Sequence, residues 1–235
     1  IANGNFENKI IKNVDKKTFE ILNEKNPDKI VVFGGDCSVE LAPFGYLLEK
    51  YTNEKTAILW IDAHPDVTTT ADNWKNFHAM VLASLLGEAD KDIDNLVTTK
   101  VKPENVIFAG IDDSREFDRV VYKKYNFKNF TTEEFQKNGD KIVKELKNRK
   151  IKNVIVHFDL DVLNLYEFNS QYFAEPEIFD KYKHEFPVGA KISTVSKLIN
   201  DVNDNFNLIG LGITEHLPWA AIKLAKLLRE LPLIK

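Results

Sequence analysis

Short apolar runs alternate with longer amphipathic stretches along this chain, and the alternation predicts its fold. Lys29-Ile30-Val31-Val32-Phe33 reads as a buried strand that stops at Gly34-Gly35. Thr56–Ile61, 105–109 and 153–158 read the same way, and 208–213 is a fifth run, diluted by Gly210 and Gly212. Runs that are apolar without strict alternation fit strands of a parallel sheet covered on both faces. Helical patterns lie between them. Residues 13–25 gather Val14, Phe19, Ile21 and Leu22 on roughly one side, and 80–86 is apolar enough for a buried helix. Thr131-Thr132-Glu133-Glu134 opens a helix with a capping box, carrying Phe135, Ile142, Val143 and Leu146 inward, although Gly139 interrupts it. Two further helices are predicted over 194–202 and 219–231, the second with Pro218 at its start. Strand–helix alternation of this kind implies right-handed βαβ units and one mainly parallel α/β sheet, here a single domain over 1–235. The irregular stretch 163–190, rich in aromatic and charged residues and containing Pro176 and Pro187, reads as a long loop or insertion.

Composition narrows the possible functions. The 235 residues carry a net charge of −4, with 43% apolar and 29% charged positions. That balance fits an ordinary globular core, and the 16 Phe, 7 Tyr and 3 Trp argue against disorder. A sequence pI of about 5.8 and the absence of a basic block argue against nucleic-acid binding. A single cysteine excludes an internal disulfide and a Cys-rich zinc module. No apolar run is long enough for a membrane span and no signal peptide is visible, so a cytoplasmic location is the expectation. The chain opens at Ile1 and its one Met is Met80, so an N-terminal part is expected to be missing.

The chemistry clusters where the strands end. Gly34-Gly35-Asp36-Cys37-Ser38 follows the first run, Asp62-Ala63-His64-Pro65-Asp66 the second, Asp159-Leu160-Asp161 the fourth and Glu215-His216 the fifth. In parallel α/β sheets ligands bind beyond the carboxyl ends of the strands, so these clusters are expected to meet on one rim. Residues two apart in an extended segment share a face, which would point Asp62, His64 and Asp66 one way and pair Asp159 with Asp161. So many carboxylates in one volume repel unless divalent cations neutralise them, and carboxylate-plus-imidazole sets suit Mn, Zn or Fe.

In order, spacing and strand context these blocks resemble the signatures of the ureohydrolase (arginase/agmatinase/formimidoylglutamase) family over Val31 to about Pro218. The resemblance implies a three-layer α/β/α sandwich and a hydrolase that cleaves a C–N bond of a guanidino or formimidoyl compound. It implies two divalent metals, usually Mn²⁺, with a nucleophilic hydroxide held between them. Asp62 and Asp159 would bridge, Cys37 and Asp66 would complete one metal site, and His64 and Asp161 the other. Glu215 would grip a cationic amidine, and His78 would pass a proton to the leaving amine. Thr68, Asn76 and Asp113 match positions that hold the rest of the substrate. The family also implies a small cationic substrate and a homo-oligomer, a trimer or hexamer.

Several positions depart from that pattern. Cys37 stands where a histidine ligand is usual, and a soft thiolate shifts the preference from Mn²⁺ toward Zn²⁺ or Fe²⁺. His157 replaces a serine, reading as a supporting or packing residue, and Asn164-Leu165 replaces Asp-Pro. Thr68 replaces an asparagine, Trp74 a serine and Asp112 an arginine, so arginine specificity is not supported. Lys75, Arg115 and Lys191 read as solvated surface charges, with contact to a carboxylate tail as the alternative. His216 is expected to pack behind Glu215. The alternative reading is an impaired or regulatory relative that binds one metal or none. A metallophosphoesterase fits less well, because Gly-Gly-Asp precedes Asp-Ala-His and no Asn-His block follows.

Overall fold

The computed structural model describes residues 8–111, 119–169, 171–172, 179–182, 189–217 and 221–234. Its strands are β1 (Ile30–Phe33), β2 (Thr56–Ile61), β3 (Val106–Ala109), β4 (Lys128–Phe130), β5 (Asn153–Asp159) and β6 (Asn207–Thr214). Its α-helices are α1 (Asn8–Lys25), α2 (Leu41–Lys50), α3 (Val81–Leu86), α4 (Lys91–Asp94), α5 (Arg119–Lys124), α6 (Thr132–Lys137), α7 (Asp140–Asn148), α8 (Phe179–Tyr182), α9 (Ile192–Asn205) and α10 (Ala221–Glu230). The strands form one sheet in the order β1-β6-β5-β2-β3-β4, and every pairing is parallel.

The five predicted strands are present, because each is an apolar run that two layers of helices can cover. On one face Leu59, Val156 and Leu211 pack against Phe135 of α6, Ile142 of α7, Ile199 of α9 and Leu227 of α10. On the other, Ile58, Trp60, Phe108 and Ile155 meet Phe44 and Leu47 of α2 and Leu82 and Leu85 of α3. These layers make the α/β/α sandwich. The edge strand β4 was not predicted; only Phe130 of its three residues is buried.

Two helical expectations change on inspection. Thr131 forms its capping box with Glu134, but the helix it starts ends at Lys137 and a second begins at Asp140, because Asn138 and Gly139 interrupt the turn. Residues 80–86 divide into a 3₁₀ turn over Phe77–Met80 followed by α3. In the irregular stretch 163–190, Leu163 bridges Ala190 in parallel, which ties its ends together; much of the rest, with Pro176, His184 and Pro187, lies outside the described residues. So do Asp112, Asp113, Arg115 and Pro218. Among the described residues no helix is long and apolar enough to cross a membrane.

Candidate metal centre

Strands β1, β6, β5 and β2 are neighbours, and their carboxyl ends carry the four polar blocks. Register brings the blocks together. Ile61 pairs with Phe158, which sets Asp62 beside Asp159, and Asp159 itself pairs with Thr214. Glu215 N donates to Gly35 O at 2.9 Å, joining the β6 end to the β1 loop.

The convergence is real, but extended backbone is not its cause. Asp62 Oδ1 accepts from His64 N at 2.7 Å, and Asp159 Oδ1 accepts from Asp161 N at 2.7 Å. Each strand therefore ends in a carboxylate that captures the amide two residues on, and the chain turns there. Asp66 and Glu215 then adopt left-handed backbone, with φ of +47° and +59°. Non-glycine residues held in that region cost energy and concentrate at functional sites. Gly110 lets β3 close against this turn: a Cβ there would lie 2.5 Å from Asp62 O, and its φ is +124°.

Two groups of side chains result. In one, donor atoms of Asp62, His64 and Asp161 lie within 4.8 Å of one another. His64 Nδ1 is 2.9 Å from Asp161 Oδ2 and 3.6 Å from Asp62 Oδ1. Burial pushes the Asp161 carboxyl up, but the His64 imidazole beside it outweighs that and holds it at about 2. In the other, donor atoms of Cys37, Asp62, His157 and Asp159 lie within 4.8 Å of one another, all four residues buried. Cys37 Sγ donates to Asp159 Oδ2 at 3.1 Å and lies 3.6 Å from Thr214 Oγ1 and 3.9 Å from Glu215 Oε1. Burial, and then the charges of Asp66, Asp159, Asp62 and Glu215, push the Cys37 thiol up. Burial and neighbouring carboxylates likewise hold Asp66 and Asp159 well above the usual carboxylate range.

Beneath this second group runs a pairing between residues far apart in the chain. His157 Nδ1 is 2.5 Å from Glu40 Oε2 and its Nε2 is 3.2 Å from Asp62 Oδ2, with all three side chains buried. The ring stacks on Trp60, centroids 3.7 Å apart, and Trp60 Nε1 donates to Asp62 Oδ2 at 3.0 Å. Burial opposes charge on His157, but the Glu40 charge and the hydrogen bonds to Asp62 and Glu40 outweigh it and lift the imidazole to about 10. Glu40 fits because Gly212, level with His157 in the sheet, has no side chain; a Cβ there would overlap Glu40 Oε1. Sequence reading missed Glu40. The clue was a lone acid heading the apolar run Leu41-Ala42-Pro43-Phe44.

The remaining predicted residues fall around this centre. Asp66 is buried, and its Oδ2 has no hydrogen-bond partner. Glu215 is half-buried, and burial followed by the charges of Asp161, Asp36 and Asp62 raises it to about 7. His78, also half-buried, meets Trp74 edge-on at 6.5 Å between centroids; burial lowers its pKa, which favours the neutral ring. Asn76 is half-buried just before the 3₁₀ turn. Thr68 is fully buried, and its N–H donates to Ala79 O at 3.0 Å. His216 packs on Phe33, rings 5.3 Å apart.

Buried carboxylates, a thiol and imidazoles thus meet at adjacent strand ends of a parallel α/β/α sandwich and form a candidate metal-binding cluster. A buried, unpartnered carboxylate oxygen on Asp66 and several carboxyls displaced upward are what a cation site looks like without its cation. The residues fit a metal.

Comparison with known proteins gives the class. The arginase family model matches residues 2–168, and the chain belongs to the arginase family. An arginase of Staphylococcus aureus is 32% identical over 140 residues, which is 57% of this chain and 46% of that protein. A Plasmodium berghei arginase is 27% identical over 219 residues, or 89% of this chain and 59% of that one. The matches thus span about half the length of these curated relatives. Among solved structures, Entamoeba histolytica arginase in complex with L-ornithine superposes with a TM-score of 0.76 at 19% identity, covering 94% of this chain and 77% of that one. Bacillus subtilis formimidoylglutamase superposes with a TM-score of 0.71 at 19% identity, covering 94% and 65%. These two show the shared fold.

Proposed function

We propose that this chain is a metal-dependent hydrolase that cleaves a C–N bond of a small cationic guanidino or formimidoyl compound. The observation that carries the reading is the meeting of Cys37, Asp62, His64, Asp159 and Asp161 at adjacent strand ends, with Glu215 at their margin. Asp62, His64 and Asp161 would hold one divalent cation; Cys37, Asp62, Asp159 and Asp66 are the donors the family pattern assigns to a second. When bound, such cations supply an acidified water as nucleophile and neutralise the carboxylates. The chain's own residues do the rest. Glu215, at the strand end, pairs its carboxylate with the planar amidine cation through charge-assisted hydrogen bonds. Its elevated pKa falls back once a cation lies beside it, so it is ionised when substrate arrives. His78, whose burial favours the neutral ring, would first take up the proton released as water attacks and then pass it to the departing amine. Asn76, and Asp113 outside the described residues, are the proposed contacts to the rest of the substrate; buried Thr68 would shape that loop from beneath. A homo-oligomer and a cytoplasmic setting belong to the same proposal.

The test counts metals per chain by plasma mass spectrometry and then screens guanidino and formimidoyl compounds for amine release. Two metals and turnover that Asp161→Asn abolishes are expected. Turnover unchanged by Asp62→Asn and Asp161→Asn would overturn the reading, as would strong hydrolysis of bis-p-nitrophenyl phosphate. One metal or none, without turnover, would favour the impaired or regulatory relative that Cys37 raises.

A further inference from the structure

Resting on the reading that this rim binds metal, we propose that His157 is itself a metal donor. With Cys37, Asp62 and Asp159 it would form a thiolate–imidazole–dicarboxylate site that selects a Zn²⁺-type cation over Mn²⁺.

The geometry carries this in three steps. First, His157 lies among the donor atoms that group with Cys37, all within 4.8 Å of one another. His157 lies two residues before Asp159 on β5, so both side chains rise from the same face of the sheet. Its Nε2 reaches to 3.2 Å from Asp62 Oδ2, a carboxylate shared with the His64 group. Second, the other ring nitrogen is already taken. Metal-ligating histidines usually donate their second N–H to a carboxylate, which fixes the tautomer and the ring plane. Glu40 occupies that position at 2.5 Å, Trp60 stacks against the ring, and Gly212 leaves the space Glu40 needs. A fully buried glutamate is costly in a core; its Oε1 has no hydrogen-bond partner, and its Oε2 meets the ring it orients. Third, the donor chemistry decides the cation. Thiolate and imidazole with carboxylate oxygen is a donor set for tetrahedral Zn²⁺, whereas Mn²⁺ favours harder oxygen and nitrogen donors. The competing account keeps His157 behind Asp62 as a hydrogen-bond donor only.

The experiment loads the full 235-residue chain with one equivalent of Zn²⁺ and reads its first coordination shell by X-ray absorption. Co²⁺ affinity and the thiolate-to-cobalt band are read in parallel. The expected shell holds one sulfur and an imidazole, and it keeps both in His64→Asn, where His157 is the imidazole left in the two donor groups of the described residues. His157→Gln is expected to lose that imidazole and to weaken Co²⁺ binding by about 100-fold or more. Because that variant leaves Glu40 without its partner, His157→Gln/Glu40→Gln is measured beside it. Asp66→Asn is expected to keep both the sulfur and the imidazole. Equimolar Mn²⁺ is expected to leave the Zn²⁺ in place. A zinc shell with sulfur but no imidazole in His64→Asn overturns the proposal and needs no His157 variant to fold. Zinc bound without sulfur, or displaced by equimolar Mn²⁺, also overturns it while leaving metal binding by the rim intact. No binding of Zn²⁺, Co²⁺ or Mn²⁺ overturns both this proposal and the function it rests on.

Discussion

The two sides of the rim hold similar acids under opposite electrical conditions. On the His64 side, Asp161 lies 2.9 Å from an imidazole that offsets its burial, and its carboxyl stays at about 2. On the Cys37 side, Asp159 faces a thiol and Asp66 has an unpartnered oxygen; both carboxyls are driven up by burial and by each other's neighbours. The positive charge nearest that side, His157, is divided between Glu40 and Asp62. The difference shows which side the protein can neutralise by itself. Beside His64 the imidazole outweighs the burial of Asp161, whereas on the Cys37 side burial and neighbouring carboxylates prevail at Asp66 and Asp159.

Asp62 belongs to both sides, so removing it gives the largest break in this comparison. Asp62→Ala is expected to lower divalent-metal affinity by more than about 100-fold and to leave the His157–Glu40 pair one partner short. Stripping one partner from a buried ionic network costs about 3–5 kcal/mol. Equilibrium dialysis and urea denaturation measure the two effects, and an unchanged midpoint would mean His157 does not depend on Asp62.

Gly212→Ala comes next. The added methyl overlaps Glu40 Oε1, and the expected loss is about 3 kcal/mol in urea denaturation. Gly212→Ala/Glu40→Ala should recover part of it; a double variant no more stable than Gly212→Ala would place the strain elsewhere.

Cys37 sharpens the comparison chemically. A buried thiol raised by surrounding carboxylates is a poor nucleophile, so alkylation of the metal-free folded protein should run about 100-fold slower than in urea. Asp159→Asn removes one of the charges and should speed it. Fast native labelling would show the Cys37 side to be open.

Asp15, on α1 and outside the rim, gives the smallest effect and a reference for burial without metal. Burial lifts its carboxyl to about 7, against about 3.9 in an unfolded chain. The folded state therefore binds this proton more tightly, so its contribution is fully present below about pH 4 and is lost as pH rises through about 7. Asp15→Asn should flatten that slope and raise stability at pH 8 by about 1–2 kcal/mol in urea titrations.

Local signals explain what was readable in the sequence. Central strands announce themselves as apolar runs, and Asp-rich blocks at their ends are short motifs, so both could be found without coordinates. Strand β4 could not: its Lys128 is exposed and Asn129 half-buried, and an edge strand needs no two-sided apolar run. Helix α2 also lacked a stripe, because Leu41 to Leu48 are buried on every side and the segment contains Pro43 and Gly45. The Glu40–His157 pair spans 117 positions, and only the fold brings it together. His157 was expected as a supporting residue; its place among the donors of Cys37, Asp62 and Asp159 became visible only once Trp60 and Glu40 were seen to aim it.

The bare backbone at Gly212 also constrains the order in which such a sequence can change. With glycine already present, Glu40 can arrive and find room; with any other residue there, its first appearance is a collision. Once Glu40 and His157 are paired, losing either strands the other. These three positions lie on different elements, and each limits what the other two can be.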